Sequence, residues 1–149
     1  MSPLFAFLHH VAAFALFGSL MAQHVLLQGE ITPRTARRIL AADAMLGGAA
    51  MTVLIVGLLR VFLFEKGAGY YFGSLAFLLK LALFAAAGAA SAYPTVRFAA
   101  WRRALARGDA PAVDAATLGT IRTIVRIELA AVVLILLFAA LMAKGVRIF

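Results

Sequence analysis

Four long apolar runs, broken by short polar stretches, organise this chain. They cover about residues 3–27, 39–64, 72–96 and 121–143. Roughly 20 apolar residues span a hydrocarbon layer, so each run is long enough to cross a membrane as a helix. No period-two alternation competes with the helical reading. The predicted fold is all-α: an antiparallel four-helix transmembrane bundle forming one integral membrane domain over residues 1–149. The first run reads as a span and not a cleavable leader, because no Lys or Arg precedes it. Thr32-Pro33 has the form of an N-cap with Pro at the first helical position, so the second helix is expected to begin early. Trp101-Arg102-Arg103 should end a helix, with a break at Gly108-Asp109-Ala110-Pro111.

Loop charges give an orientation. Arg34, Arg37 and Arg38 precede the second run, and Arg97, Arg102, Arg103 and Arg107 follow the third. The other side has Lys66, Lys144 and Arg147. The positive-inside rule puts the arginine-rich loops in the cytoplasm and both termini outside. Tyr70, Tyr71 and Phe72 then lie at the outer interface, where aromatic belts form. Alanine and glycine crowd positions 41–50 and 85–91, which predicts close packing of the second and third spans.

Composition confirms the class: 65% of the 149 residues are hydrophobic, and the mean hydropathy is +1.03. A soluble chain of this size has no interior large enough to hide that much apolar surface. The lipid bilayer is the implied partner. The net charge of +8 then reads as basic loops facing anionic headgroups, not as a nucleic-acid surface. With no cysteine there is no disulfide and no thiolate site.

The candidate chemistry lies in ionisable residues within the apolar runs, which are costly there and mark function by default. Topology sorts them into two levels. An outer level holds His9, His10, Arg60 and Lys80, with Tyr70 and Tyr71 above. It suits an anionic ligand such as haem b, with His9 or His10 as the metal ligand and Arg60 and Lys80 at the propionates. The function expected from it is electron transfer between a quinone and an external acceptor. An inner level holds His24, Asp43, Glu128, Tyr93 and Arg97. It reads either as a proton path or cation site, or as ion pairs: Asp43 with Arg38 or Arg97, and Glu128 with Arg122 or Arg126. A non-redox transport or structural subunit is the alternative function, and a porphyrin-modifying enzyme a weaker one.

His10 and His24 are 14 positions apart, roughly 21 Å along a helix. Two-haem membrane cytochromes use such a spacing. No histidine lies outside the first run, so one chain lacks a second axial histidine, and a homo-oligomer would have to supply it. The methionines are scattered, without the clustering of copper transporters.

The stretch Phe5 to Phe14, with Asp43, Gly57-Leu58-Leu59-Arg60, Lys66-Gly67, Tyr70-Tyr71, Lys80 and Tyr93-Pro94-Thr95, resembles an uncharacterised bacterial family of four-helix inner-membrane proteins. That resemblance covers most of the chain and implies architecture and a bacterial plasma-membrane location. A fainter one is to the HemJ-type protoporphyrinogen oxidases and the copper-resistance D-type membrane proteins. It would match His9 or His10 to a haem-associated histidine and Lys80 to a lysine of the third helix. The chain lacks the aromatic-proline-arginine segment and the late Arg-Asn-Glu-Pro-like motif of the HemJ type.

Overall fold

A computed structural model describes the backbone of residues 3–64 and 68–143, with side chains except those of Phe64, Ala68, Tyr70 and Ala143. Every regular element among these residues is helical. The helices are α1 (Pro3–Leu26), α2 (Pro33–Leu59), continued by a π-helical segment (Arg60–Phe64), the short α3 (Ala68–Phe72), α4 (Leu75–Ala106) and α5 (Ala115–Ala143). Four stretches are long and apolar enough to cross a membrane: Pro3–Leu26, Pro33–Leu63, Leu75–Ala106 and Ala115–Met142.

Helix ends follow local chemistry. Thr32 caps α2, its hydroxyl accepting the Thr35 N–H at 3.2 Å, and Pro33 enters where an N–H would lack a partner anyway. Asp114 caps α5 in the same way, its carboxylate accepting the Thr117 N–H at 2.8 Å. Gly108 leaves α4 with φ +82°, a left-handed turn that glycine adopts without a Cβ penalty. The expected break near Gly108 is therefore present. Two boundaries differ from expectation. Helix α4 runs past the apolar stretch through the expected end at Trp101-Arg102-Arg103 and stops three residues beyond it, at Ala106, and α5 starts at Ala115, six residues before Ile121. Arginine-bearing turns continue α4 beyond the apolar stretch, and a turn of small and hydroxyl residues, Ala115 to Thr120, begins α5 ahead of it.

The helices form a ring in which α1 packs along α2 and α4 along α5. Fewer contacts join α2 to α4 and α1 to α5, so α1 and α4 stand on diagonal corners. The expectation that the second and third spans pack most closely is corrected here. Ala42 and Ala49 are buried, but the glycines that motivated it face outward. A Cβ added at Gly47, Gly48 or Gly88 would meet nothing within 4 Å. The tight contacts belong instead to sequence neighbours joined by a short turn.

The core is concentrated toward the end carrying the 27–32 and 107–114 connectors, called the arginine-rich end below. Leu20, Leu27, Ile39, Phe98, Trp101, Ile121 and Val125 fill it. Phe98 and Trp101 meet edge to face at 4.9 Å. Two arginines tie the hairpins together there. Arg122 Nε donates to the Leu27 carbonyl at 2.7 Å, and Arg37 Nη2 to the Leu105 carbonyl at 3.3 Å. The Leu27 carbonyl lies just past α1, where no intrahelical donor follows, and the Leu105 carbonyl, in the last turn of α4, also accepts the Gly108 N–H at 3.1 Å.

Candidate functional site

The inward stripe of α1 is Ala12, Leu16, Ser19, Leu20, Gln23 and Leu27. These positions recur at three and four residues, as one helix face must. His10 lies off that stripe. It is exposed, and its Nδ1 is 2.6 Å from the Ala6 carbonyl of its own helix. The face that carries His10 is therefore not the bundle-facing one, and His10 and His24 do not make a pair of inward ligand positions. His9 turns inward instead. Its ring is half-buried against α2, with Cε1 3.3 Å from where a Cβ on Gly57 would stand. Glycine at 57 is what admits the ring. Arg60 follows one turn along, at the start of the π-helical segment.

Lys80 belongs to α4, on the corner diagonal to α1. Its ammonium lies 5.3 Å from the centre of the Phe77 ring, a cation–π contact. Phe77 in turn packs against Tyr71 at 5.5 Å and Phe72 at 5.4 Å, and Phe72 meets Phe62 at 6.3 Å. An aromatic layer thus closes this end of the bundle. The Tyr70 side chain and Lys66 lie outside the described residues. Of the two candidate metal-ligating histidines, only His9 faces a neighbouring helix. Among the described residues no three His, Cys, Asp or Glu side chains converge as a metal cage.

The inner level is a connected polar centre drawn from all four long helices. Asp43 of α2 is half-buried. Its Oδ1 accepts a bond from Gln23 Nε2 of α1 at 3.3 Å and another from the Thr95 hydroxyl of α4 at 2.9 Å. Arg102 of α4 lies within electrostatic range of it. Glu128 of α5 is 3% exposed. The Ser91 hydroxyl of α4 donates to its carboxylate, and Asp43 lies within electrostatic range. Its second oxygen, Oε2, is buried and has no hydrogen-bond partner among the described residues. Ser91 and Thr95 are four positions apart, so they stack on one face of α4, one turn apart. The two carboxylates occupy successive rungs on that face.

The ion pairs expected for these carboxylates do not form. Arg122 is turned to the Leu27 carbonyl. Arg97 lies over the Tyr93 ring at 5.0 Å. It lines a cavity of about 200 Å³ with Trp101, Val113 and Asp114, away from Asp43. Arg38 and Arg126 are exposed. Neutral donors hold both carboxylates instead. His24, next to Gln23 on α1, is half-buried with its Nδ1 lacking a partner.

Three members of this centre were missed as site residues. Gln23 had a readable signal, a polar residue on the stripe of Leu16, Leu20 and Leu27. Ser91 and Thr95 had less, because hydroxyls at membrane depth commonly bond their own helix, as Ser19 and Thr52 do here.

No curated protein and no solved structure matches the chain. Residues 1–147 match a family described as "Predicted membrane protein (DUF2214)". Four membrane-length helices with a polar centre between them agree with that description, and the chain belongs to this family of predicted membrane proteins.

Proposed function

We propose that this chain is a multi-pass protein of the bacterial plasma membrane that exchanges protons at a carboxylate centre formed by Glu128 and Asp43. It is of the non-redox transport class, with the arginine-rich end in the cytoplasm. The observation that carries the reading is the buried Oε2 of Glu128, which has no hydrogen-bond partner among the described residues. A carboxylate taken out of water without a cation leaves charge uncompensated, at a cost of several kcal/mol. A proton removes that charge and supplies a donor. Acidic residues facing the interior of membrane bundles serve proton relays for this reason.

The surroundings support a direction of entry. Asp43 stands one rung from Glu128 toward the arginine-rich end, held by Gln23 and Thr95, with Arg102 further along. On the other side, Lys80 is eleven positions from Ser91, roughly 16 Å along the axis. Phe84, packed against the core, fills the interval. The centre is thus approached through Asp43 and sealed by apolar residues on the far side.

The test is proton flux in vesicles containing an internal pH dye. The full chain is expected to dissipate an imposed pH gradient. Glu128→Gln keeps the shape and Ser91 as a neighbour, and should fold but conduct no faster than empty vesicles. Parent protein that leaves the gradient intact, or Glu128→Gln that matches the parent, would overturn the reading.

A second reading keeps a b-type haem on the outer level, with His9 as axial ligand, Arg60 and Lys80 at the propionates, and a quinone as electron partner. The inward turn of His9 beside Gly57 supports it.

A further inference from the structure

We propose that the cavity between α4, the 107–114 connector and the start of α5 binds a zwitterionic phosphodiester ending in a primary ammonium, the chemistry of an ethanolamine phospholipid headgroup. Arg97, Trp101, Pro111, Val113, Asp114 and Thr117 are among its lining residues. Its volume is about 200 Å³. That is several times the roughly 30 Å³ share of one water, and less than the about 300 Å³ at which pockets for whole drug-sized ligands begin. The room suits a headgroup whose acyl chains stay in the bilayer.

The cavity begins where the apolar run of α4 ends. Arg97 is the first charged residue after that run, and its guanidinium rests on the Tyr93 ring at 5.0 Å. Trp101, one turn further on, is buried and packs on Phe98 at 4.9 Å. Tyrosine and tryptophan gather at the level of the lipid headgroups. Basic pockets between helices at that level are where headgroups bind.

Charge selects the headgroup. The walls carry both signs, Arg97 from α4 and Asp114 from the connector. Among the described residues no ion pair joins the two. Asp114 is held in place by the α5 cap, its Oδ2 accepting the Thr117 N–H at 2.8 Å. An anion without a cation of its own would face that carboxylate, and a bare cation would face Arg97. A zwitterion answers both. The order along the membrane normal agrees. Arg97 lies nine positions before the end of α4 at Ala106, and Asp114 lies in the connector beyond that end. In a phospholipid the phosphate is on the glycerol side and the ammonium is terminal. The planar guanidinium suits the phosphate. A primary ammonium has three N–H donors for the carboxylate, and a quaternary one has none.

A ligand that binds only the folded state raises its melting temperature with concentration. The experiment melts the detergent-purified full chain with added dioleoyl phospholipids bearing ethanolamine, choline or glycerol headgroups. The ethanolamine lipid is expected to give the same rise at about tenfold lower concentration than the other two. Asp114→Asn keeps a capping oxygen but loses the charge, and should erase that preference. Arg97→Gln should weaken the response to all three, since each carries the phosphate. Glycerophosphoethanolamine, the same headgroup without acyl chains, identifies the source. A rise with it assigns a headgroup that binds from solution as well, and a rise with the lipid alone assigns the membrane. Equal or absent responses of the parent to the three lipids overturn the proposal, as does a preference that survives Asp114→Asn. A stronger response to the glycerol lipid overturns it in favour of a purely anionic headgroup.

Discussion

His9 and His10 are adjacent in sequence and opposite in environment. One ring fills the space above a glycine of the next helix, and the other bonds its own helix and faces outward. The two should respond differently to truncation. Removing the His9 ring leaves a void against Gly57 and is expected to cost about 1–3 kcal/mol of stability. His10→Ala should stay within about 0.5 kcal/mol, as exposed positions do. Chemical denaturation of both variants measures this. Absorbance of the same samples tests the haem reading: a Soret band in the parent, lost in His9→Ala and kept in His10→Ala, would carry it. Colourless parent protein from haem-replete cells would end it. At this scale the sequence exposed the rare charges but not their partners. Asp43 and Glu128 stand out in apolar runs, and the natural inference gives each a nearby arginine. Side-chain direction decides otherwise. Arg97 and Arg122 turn to a ring and a carbonyl, and an amide and two hydroxyls from other helices take their place.

The helices were legible by length and hydropathy, and their ends less so. A run of apolar residues marks where the bilayer begins, not where the helical hydrogen bonds stop. The turns holding Arg102 and Arg103 lie beyond the apolar run and stay helical. The true boundary of α5 is a cap, Asp114, and it carries a pH signature. Bonds from the Thr117 hydroxyl and the Thr117 N–H hold this exposed carboxyl below its ordinary value of 3.8, with the Arg97 charge a smaller contribution. A depressed value in the folded state means that the stabilisation is complete above 3.8 and is lost as pH falls through the folded-state value. Melting curves across that acid range should show the loss in the parent. Asp114→Asn keeps a capping oxygen but cannot titrate, and should flatten that part of the profile. An unchanged profile would mean that the cap does not govern the start of α5.

At the scale of the whole molecule, two helical hairpins meet face to face. Their polar ties are concentrated at the arginine-rich end, and an aromatic layer closes the other. Loop charge predicts that the arginine-rich end faces the cytoplasm. A reporter fused at Gly108 should register the cytoplasm, and one fused at Phe149 the external side. The reverse pair would invert the direction of entry to the carboxylate centre and leave its chemistry unchanged. Pairing of neighbours was the part of the architecture least readable beforehand. Small residues announce a close approach only if they face a helix, and those of α2 and α4 leave open space beside Gly47, Gly48 and Gly88.

Arg37 and Arg122 fasten one hairpin to the other, and the positive-inside rule gives arginines at this end a part in orientation, so removing either confounds two effects. Lysine separates them. It keeps the charge that steers insertion, but its flexible ammonium lacks the planar fork that aims a guanidinium nitrogen at a carbonyl. A chain bearing Arg37→Lys and Arg122→Lys would enter the membrane the right way round and then sit there with its two halves unlatched.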